Sequence, residues 1–377
     1  MVSPAIEVGR GLVFSPALHG LRGLAAMAVL AFHWSSHYPL ANGWLAQWQW
    51  GSQSWMNITL PLALGWQGVP LFFVLSAYLL TIQWQHKPLT APHVSQYMVR
   101  RALRIYPAVW LQIAVVLCVL PWLPGLWRPF TFNELWQSAL LWINMPPSMV
   151  APLNGVWWTL PIEFAFYLAL PLLVWLSRRV GWWPVVLTCF VITVAWRSAV
   201  MVWFAGDHMV ARLPILDALP GSLATFAAGC ALAHSQPRWS THVRWPVVLV
   251  WTVAYLGLQY GLLSNVDTYW TGHWMLAVWN PLFACVVALA VGVVMTDMRW
   301  GRWFSGAWMV WLGELSFGVY LWHFPVLIAM RQLWPASEHS VVLGLVALPL
   351  CVVITLLLAW GSHALVERPA MRLFRPR

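Results

Sequence analysis

Leu21-Arg22-Gly23-Leu24-Ala25-Ala26-Met27-Ala28-Val29-Leu30-Ala31-Phe32-His33-Trp34 holds two ionisable side chains inside an otherwise apolar run. Eleven helical steps at about 100° separate Arg22 from His33. They return to within about 20° of the starting direction and rise roughly 16 Å. Read as a helix, the stretch therefore carries both groups on one face, the arginine near one membrane surface and the histidine deep in the bilayer. Ionisable groups at that depth cost at least a few kcal/mol each, so such a pair marks a functional site by default. A snorkelling arginine and a histidine at the far interface is the plainer alternative.

The composition supports a membrane reading. Of 377 residues, 61% are hydrophobic and 8% charged, against about a quarter charged in soluble domains. Thirty-two tryptophans suit aromatic belts at two headgroup layers. The five cysteines (Cys118, Cys189, Cys230, Cys285 and Cys351) stand singly in apolar stretches without metal or redox spacing, and are read as core packing. The net charge of +10 comes without a basic run interleaved with aromatics, so nucleic acid is not expected as a partner.

Apolar stretches of crossing length run over 17–36, 66–84, 105–123, 157–177, 182–204, 219–236, 246–263, 274–296, 308–330 and 341–364. The expected fold is an all-α polytopic membrane protein of about ten transmembrane helices with both termini cytoplasmic. Fifteen of the twenty basic residues then lie inside: Arg10; Lys87, Arg100, Arg101 and Arg104; Arg178 and Arg179; Arg238 and Arg244; Arg299 and Arg302; and Arg368, Arg372, Arg375 and Arg377. Outside lie Arg128, Arg212 and Arg331, while Arg22 and Arg197 fall within segments. The sign of that bias fixes the orientation. Phe132–Pro147, bounded by Pro129 and the Pro146-Pro147 pair, is short and is read as an external amphipathic or re-entrant element. No signal peptide is expected, because Arg22 interrupts the first apolar run and no cleavage site follows. Residues 1–377 are read as a single transmembrane domain without a separate soluble domain.

Further polar groups interrupt the apolar segments. Ser76 and Tyr78 fall midway along the second; ordinary interhelical hydrogen bonding accounts for them. Arg100 and Arg104 at i, i+4, with Arg101 beside them, make a cationic patch at the cytoplasmic start of the third. It serves either topology and anionic lipid or bidentate clamping of phosphate. Glu163 enters the fourth span near the outer surface, and His323 ends the ninth in the outer half. His33, Glu163 and His323 thus share one depth. A carboxylate there can orient an imidazole and fix its tautomer, as general-base catalysis requires. Trp44, Trp48, Trp50 and Trp55 suit either sugar stacking or an interfacial belt.

The same residues carry a resemblance. Arg22-X10-His33, Phe72-Phe73-Val74-Leu75-Ser76, Arg101-X2-Arg104 before Tyr106-Pro107, Trp158-X4-Glu163-Phe164-X-Phe166-Tyr167-Leu168, Tyr320-Leu321-X-His323-X-Pro325 and Glu367-Arg368-Pro369 resemble the membrane-bound acyltransferase-3 family, in its order, over about residues 15–370. The resemblance implies a multi-pass bacterial inner-membrane O-acyltransferase. It would take an acyl group, usually acetyl, from cytoplasmic acyl-CoA to a hydroxyl of a surface or secreted glycan at the outer side. Carried over, His33 and Glu163 are catalytic, and Arg22, Arg101, Arg104 and Ser76 handle acyl-CoA. Tyr78, Tyr167, Tyr320 and His323 are supporting polar groups. No metal or resident cofactor is implied, acyl-CoA being a substrate. The other partners implied are a glycan or lipid-linked sugar and membrane lipids; because the esterase-like domain of some relatives is not seen, transfer is finished either within the membrane domain or by a separate extracytoplasmic partner. Ala77 departs from the pattern, in which glycine often follows the serine. Direct transfer and an acyl-histidine relay both stay open, as does the acyl length. A transporter or flippase of a lipid-linked glycan is the competing class. It predicts inverted repeats and matched broken helices, which the sequence does not display.

Overall fold

The computed structural model describes residues 15–85, 87–119, 130–145, 149–235, 241–296 and 298–373. Arg10, Arg128, Arg238, Arg375 and Arg377, with Pro129, Pro146 and Pro147, lie outside the described residues, as does the side chain of Arg244. Long helices cover α1 (Pro16–His37), α2 (Gly68–Gln85), α3 (Ala91–Val119), α4 (Thr159–Val180), α5 (Trp182–Trp203), α6 (Leu219–Ser235), α7 (Thr241–Ser264), α8 (Met275–Thr296), α9 (Ala307–Leu333) and α10 (Val341–Ser362). Only an isolated bridge, Gln49 to Asn57, pairs extended backbone among the described residues. This is an all-α polytopic membrane protein, because helices satisfy their own backbone groups where no water can.

Each of the ten expected spans overlaps one of these helices, but α3 starts at Ala91 rather than at 105, and residues 120–123 and 236 lie outside the described ones. Eight are long and apolar enough to cross on length and composition alone, and a ninth counts if Met209–Leu216 and Leu219–Ser235, bent by 62°, are one broken span. The remaining one is α1. It has 22 residues, but His19, Arg22, His33 and His37 lower its hydropathy below that of its neighbours. Phe132–Ala139 forms a helix of eight residues with a capping box between Thr131 and Glu134. It rises only about 12 Å against a core of about 30 Å, so it does not cross. Tyr106 and Trp110 of α3 donate hydrogen bonds to Leu140 O and Ala139 O at its end.

Two compact units divide the chain. The first takes residues 1–24, 70–94 and 165–314; the second takes 25–69, 95–164 and 315–377. In the first, α6 packs on α5 and α8, and α7 on α8. Phe226 of α6 stacks on Phe73 of α2 and Phe166 of α4, with ring centroids 4.5 and 4.1 Å apart. A side chain at Gly229 would run into Val74 O and the Ala77 methyl. The close approach here is thus made by a glycine on α6, opposite the alanine that departs from the family pattern. Arg178 donates to Trp84 O and Lys87 O at 2.9 and 2.6 Å, satisfying carbonyls where α2 ends.

In the second unit, buried Trp34 of α1 donates to Gly344 O of α10 at 3.1 Å. The cysteine reading needs a correction. Cys189, Cys230 and Cys351 are buried, but Cys118 and Cys285 are exposed, as apolar residues on lipid-facing helices are free to be.

Candidate active site

The candidate site lies in the second unit and is organised by Pro325. Proline in α9 has no N–H to give the carbonyl four residues earlier, so Leu321 O is left open in mid-helix. Two amides fill the gap: Gln112 Nε2 of α3 donates at 2.8 Å and Asn154 Nδ2 at 2.9 Å. Gln112 Oε1 in turn accepts from Asn154 Nδ2 at 3.0 Å and Trp157 Nε1 at 2.7 Å. Asn154 Oδ1 accepts from the Val156 N–H, which opens the 3-10 turn Gly155–Trp158 leading into α4. Tyr320 Oη donates to Val156 O at 2.7 Å and takes a hydrogen bond of 2.9 Å from Thr159 Oγ1. Buried amides, hydroxyl and indole thus satisfy one another, the condition under which polar groups are tolerated at depth.

His323 projects from this knot. It is fully buried; its Nδ1 lies 3.0 Å from Val319 O, and its Nε2 lies 3.2 Å from Nδ1 of His33. His33 Nδ1 also lies 3.0 Å from Val29 O. The ring of Phe324 stands edge-on to His33 and to His37, both at 5.4 Å, and His37 Nδ1 bonds His33 O at 2.7 Å. Gly155 leaves room for Phe324, since a methyl there would come within 2.9 Å of its ring. In the last turn of α9, Arg331 binds Glu338, which lies beyond the helix, at 2.6 Å. The guanidinium holds that carboxyl below the usual carboxylate range.

The second unit also contains Glu163, Arg101 and Arg104. Glu163 is half-buried on α4, one turn beyond Thr159, the partner of Tyr320. Arg104 of α3 reaches Met371 Sδ at 3.7 Å and lies 5.5 Å over the ring of Phe317, while Arg101 lies 6.0 Å over Tyr97. These arginines sit within α3, which starts at Ala91, rather than ahead of it. Near Met371, Glu367 is buried in a π-turn and accepts from Ser362 Oγ at 2.9 Å. Arg22, Ser76, Tyr78 and Tyr167 belong to the first unit. Tyr78 and Tyr167 are buried, and Arg22 and Ser76 are half-buried.

A model of an acyltransferase domain family matches residues 15–363, nearly the whole chain. The chain belongs to the acyltransferase-3 family. Among curated relatives, the chain is 26% identical to the peptidoglycan O-acetyltransferase OatA of Listeria monocytogenes, over 94% of this chain and 56% of the relative. It is 22% identical to the O-acetyltransferase OatA of Staphylococcus aureus, over 94% and 57%. With the acyltransferase MdmB of Streptomyces mycarofaciens it shares 28%, over 96% and 93%. The chain therefore spans a little over half the length of the OatA relatives. No solved structure matches it.

Sequence reasoning found His33, His323 and Tyr320 but missed Gln112, Asn154, Trp157 and Thr159. A signal was present: Gln112 is the one polar side chain in Trp110–Val116, and Pro325 announces an open carbonyl at Leu321.

Proposed function

We propose that this acyltransferase moves an acyl group, acetyl in the first instance, from acyl-CoA at the cytoplasmic face of a bacterial inner membrane to a sugar hydroxyl of a glycan at the outer face. The observation that carries the reading is the pairing of half-buried His33 with buried His323, 3.2 Å apart, in a chain of this family. A sugar hydroxyl is a poor nucleophile until its proton is taken, and imidazole is the side chain suited to take it near neutrality.

In the proposed step, His33 accepts the hydroxyl proton as the oxygen attacks the thioester carbonyl. The tetrahedral adduct collapses, the C–S bond breaks, and the CoA thiolate recovers the proton from the imidazolium. An ester and a free thiol result. Glu163 is assigned the stabilisation of the imidazolium, and Arg101, Arg104 and Arg22 the phosphates and pantetheine arm of the donor. Peptidoglycan-type acceptors are favoured by the name of the Listeria relative, and the arginine bias favours cytoplasmic termini.

The test uses the full chain in proteoliposomes with radiolabelled acetyl-CoA and peptidoglycan fragments. His33→Ala is expected to abolish transfer while acetyl-CoA still binds, and Glu163→Gln to lower it about 100-fold, within the range of general acid–base contributions. Full transfer by His33→Ala overturns the assignment.

A further inference from the structure

His33 is useful as a base only if the correct ring nitrogen keeps its lone pair. A neutral imidazole has one N–H and one acceptor nitrogen, and which is which follows from the partners. His323 Nδ1 lies 3.0 Å from Val319 O. That carbonyl oxygen has no proton to give, so Nδ1 bears the hydrogen and Nε2 is left as an acceptor. His33 Nδ1 lies between Val29 O at 3.0 Å and His323 Nε2 at 3.2 Å. Both are acceptors, so Nδ1 of His33 bears the hydrogen. Its Nε2 holds the lone pair and, among the described residues, receives no hydrogen bond.

We propose that His323 is a positioning residue whose Nε2 locks His33 in the Nδ1–H tautomer and presents His33 Nε2 as the base. The geometry shows why one acceptor is insufficient. The Val29 carbonyl is in His33's own helix and also serves the backbone ladder, whereas His323 comes from α9 and fixes the ring from a second direction. Its complete burial and its own bond to Val319 O stop it from rotating to offer the other nitrogen. Phe324, edge-on to His33 at 5.4 Å, closes a third side. When His33 takes a proton at Nε2, the Nδ1–H bond to His323 persists and no regrouping is needed, as preorganised catalysis requires. The chain carries its own two-histidine relay of hydrogen-bond polarity, set in sequence by the i−4 carbonyls of two helices.

This inference rests on His33 being the base. The experiment is nitrogen-15 NMR of ring-labelled histidines in the full chain in nanodiscs, with the His33 signals assigned by their loss in His33→Ala. The wild type is expected to show His33 Nε2 unprotonated. His323→Leu, which removes the acceptor, is expected to shift His33 to a mixture of tautomers and slow transfer at least about tenfold. His323→Gln, whose amide oxygen can accept in the same place, is expected to restore the tautomer and most of the lost rate. A wild-type His33 protonated at Nε2, or an unchanged tautomer in His323→Leu, overturns the proposal. Should the leucine variant fail to fold, His323→Met, which fills the space without a nitrogen or oxygen acceptor, takes its place in the same comparison. Retained transfer by His33→Ala overturns only the base assignment, because the tautomer is read independently of turnover.

Discussion

At the residue scale, small departures decide what a side chain can do. Arg104 is more than a topology marker, because its guanidinium lies over Phe317 and reaches Met371. A planar, weakly hydrated group suits that sandwich and offers a fork to phosphate; an ammonium does neither. If it binds the donor, Arg104→Lys should weaken acetyl-CoA affinity about tenfold, or about 1.4 kcal/mol, with charge unchanged. Calorimetric titration measures this, and equal affinity would reduce Arg104 to anchoring. Gly155 tests the setting of the base from outside the hydrogen-bond network. Its added methyl in Gly155→Ala meets the Phe324 ring, which stands against His33. Overpacking of this kind costs about 1–3 kcal/mol. Turnover should fall several-fold while acetyl-CoA affinity is retained, and an unchanged rate would show that Phe324 yields freely.

At the element scale, the broken segment before α6 is held by an ion pair between buried Arg197 and half-buried Asp217. Arg197 of α5 binds Asp217 at the break at 2.6 Å and donates to Leu276 O at 2.8 Å and Gly221 O at 3.3 Å. Thr193 and Trp196 add bonds to Pro220 O and Ile215 O at the same corner. Backbone freed by a bend must find partners where there is no water, and one arginine supplies several donors. Removing it leaves Asp217 uncompensated, so Arg197→Met should cost about 3–5 kcal/mol, read as a fall in thermal unfolding temperature in detergent. The double change Arg197→Met, Asp217→Leu should lose less than the single one. A single variant as stable as the wild type would show that water reaches the corner. Pro325 works by the same logic in α9, where its missing hydrogen bond recruits Gln112 and Asn154.

At the scale of the whole molecule, the distribution of basic residues predicts a topology that labelling can test. Cysteine labelling or reporter fusions after residues 90, 180, 240 and 300 should all report the cytoplasm. An outside result at 240 would require a crossing in or near 130–150, against the eight-residue helix found there. The division into two units also sorts the expected site residues: the two histidines, Glu163, Arg101 and Arg104 fall in one, while Arg22, Ser76, Tyr78 and Tyr167 fall in the other.

Long apolar stretches were enough to define the helices, because spanning a bilayer forces about 20 residues to be apolar and to bond internally. The spacing of Arg22 and His33 put them on one face of α1 for the same reason of helical period. Both histidines interrupt apolar runs in the sequence, and their rings meet at 3.2 Å. Which nitrogen faces which acceptor was not legible, since 290 residues separate the rings and helix rotation is fixed only by packing. The partners of the Leu321 carbonyl come from α3 and from the turn before α4, a meeting set by tertiary contact. The sequence by itself singled out His33, His323 and Tyr320, and the tertiary structure decided their further partners and their hydrogen-bond polarity, because a directional bond depends on orientations that a one-dimensional pattern does not carry.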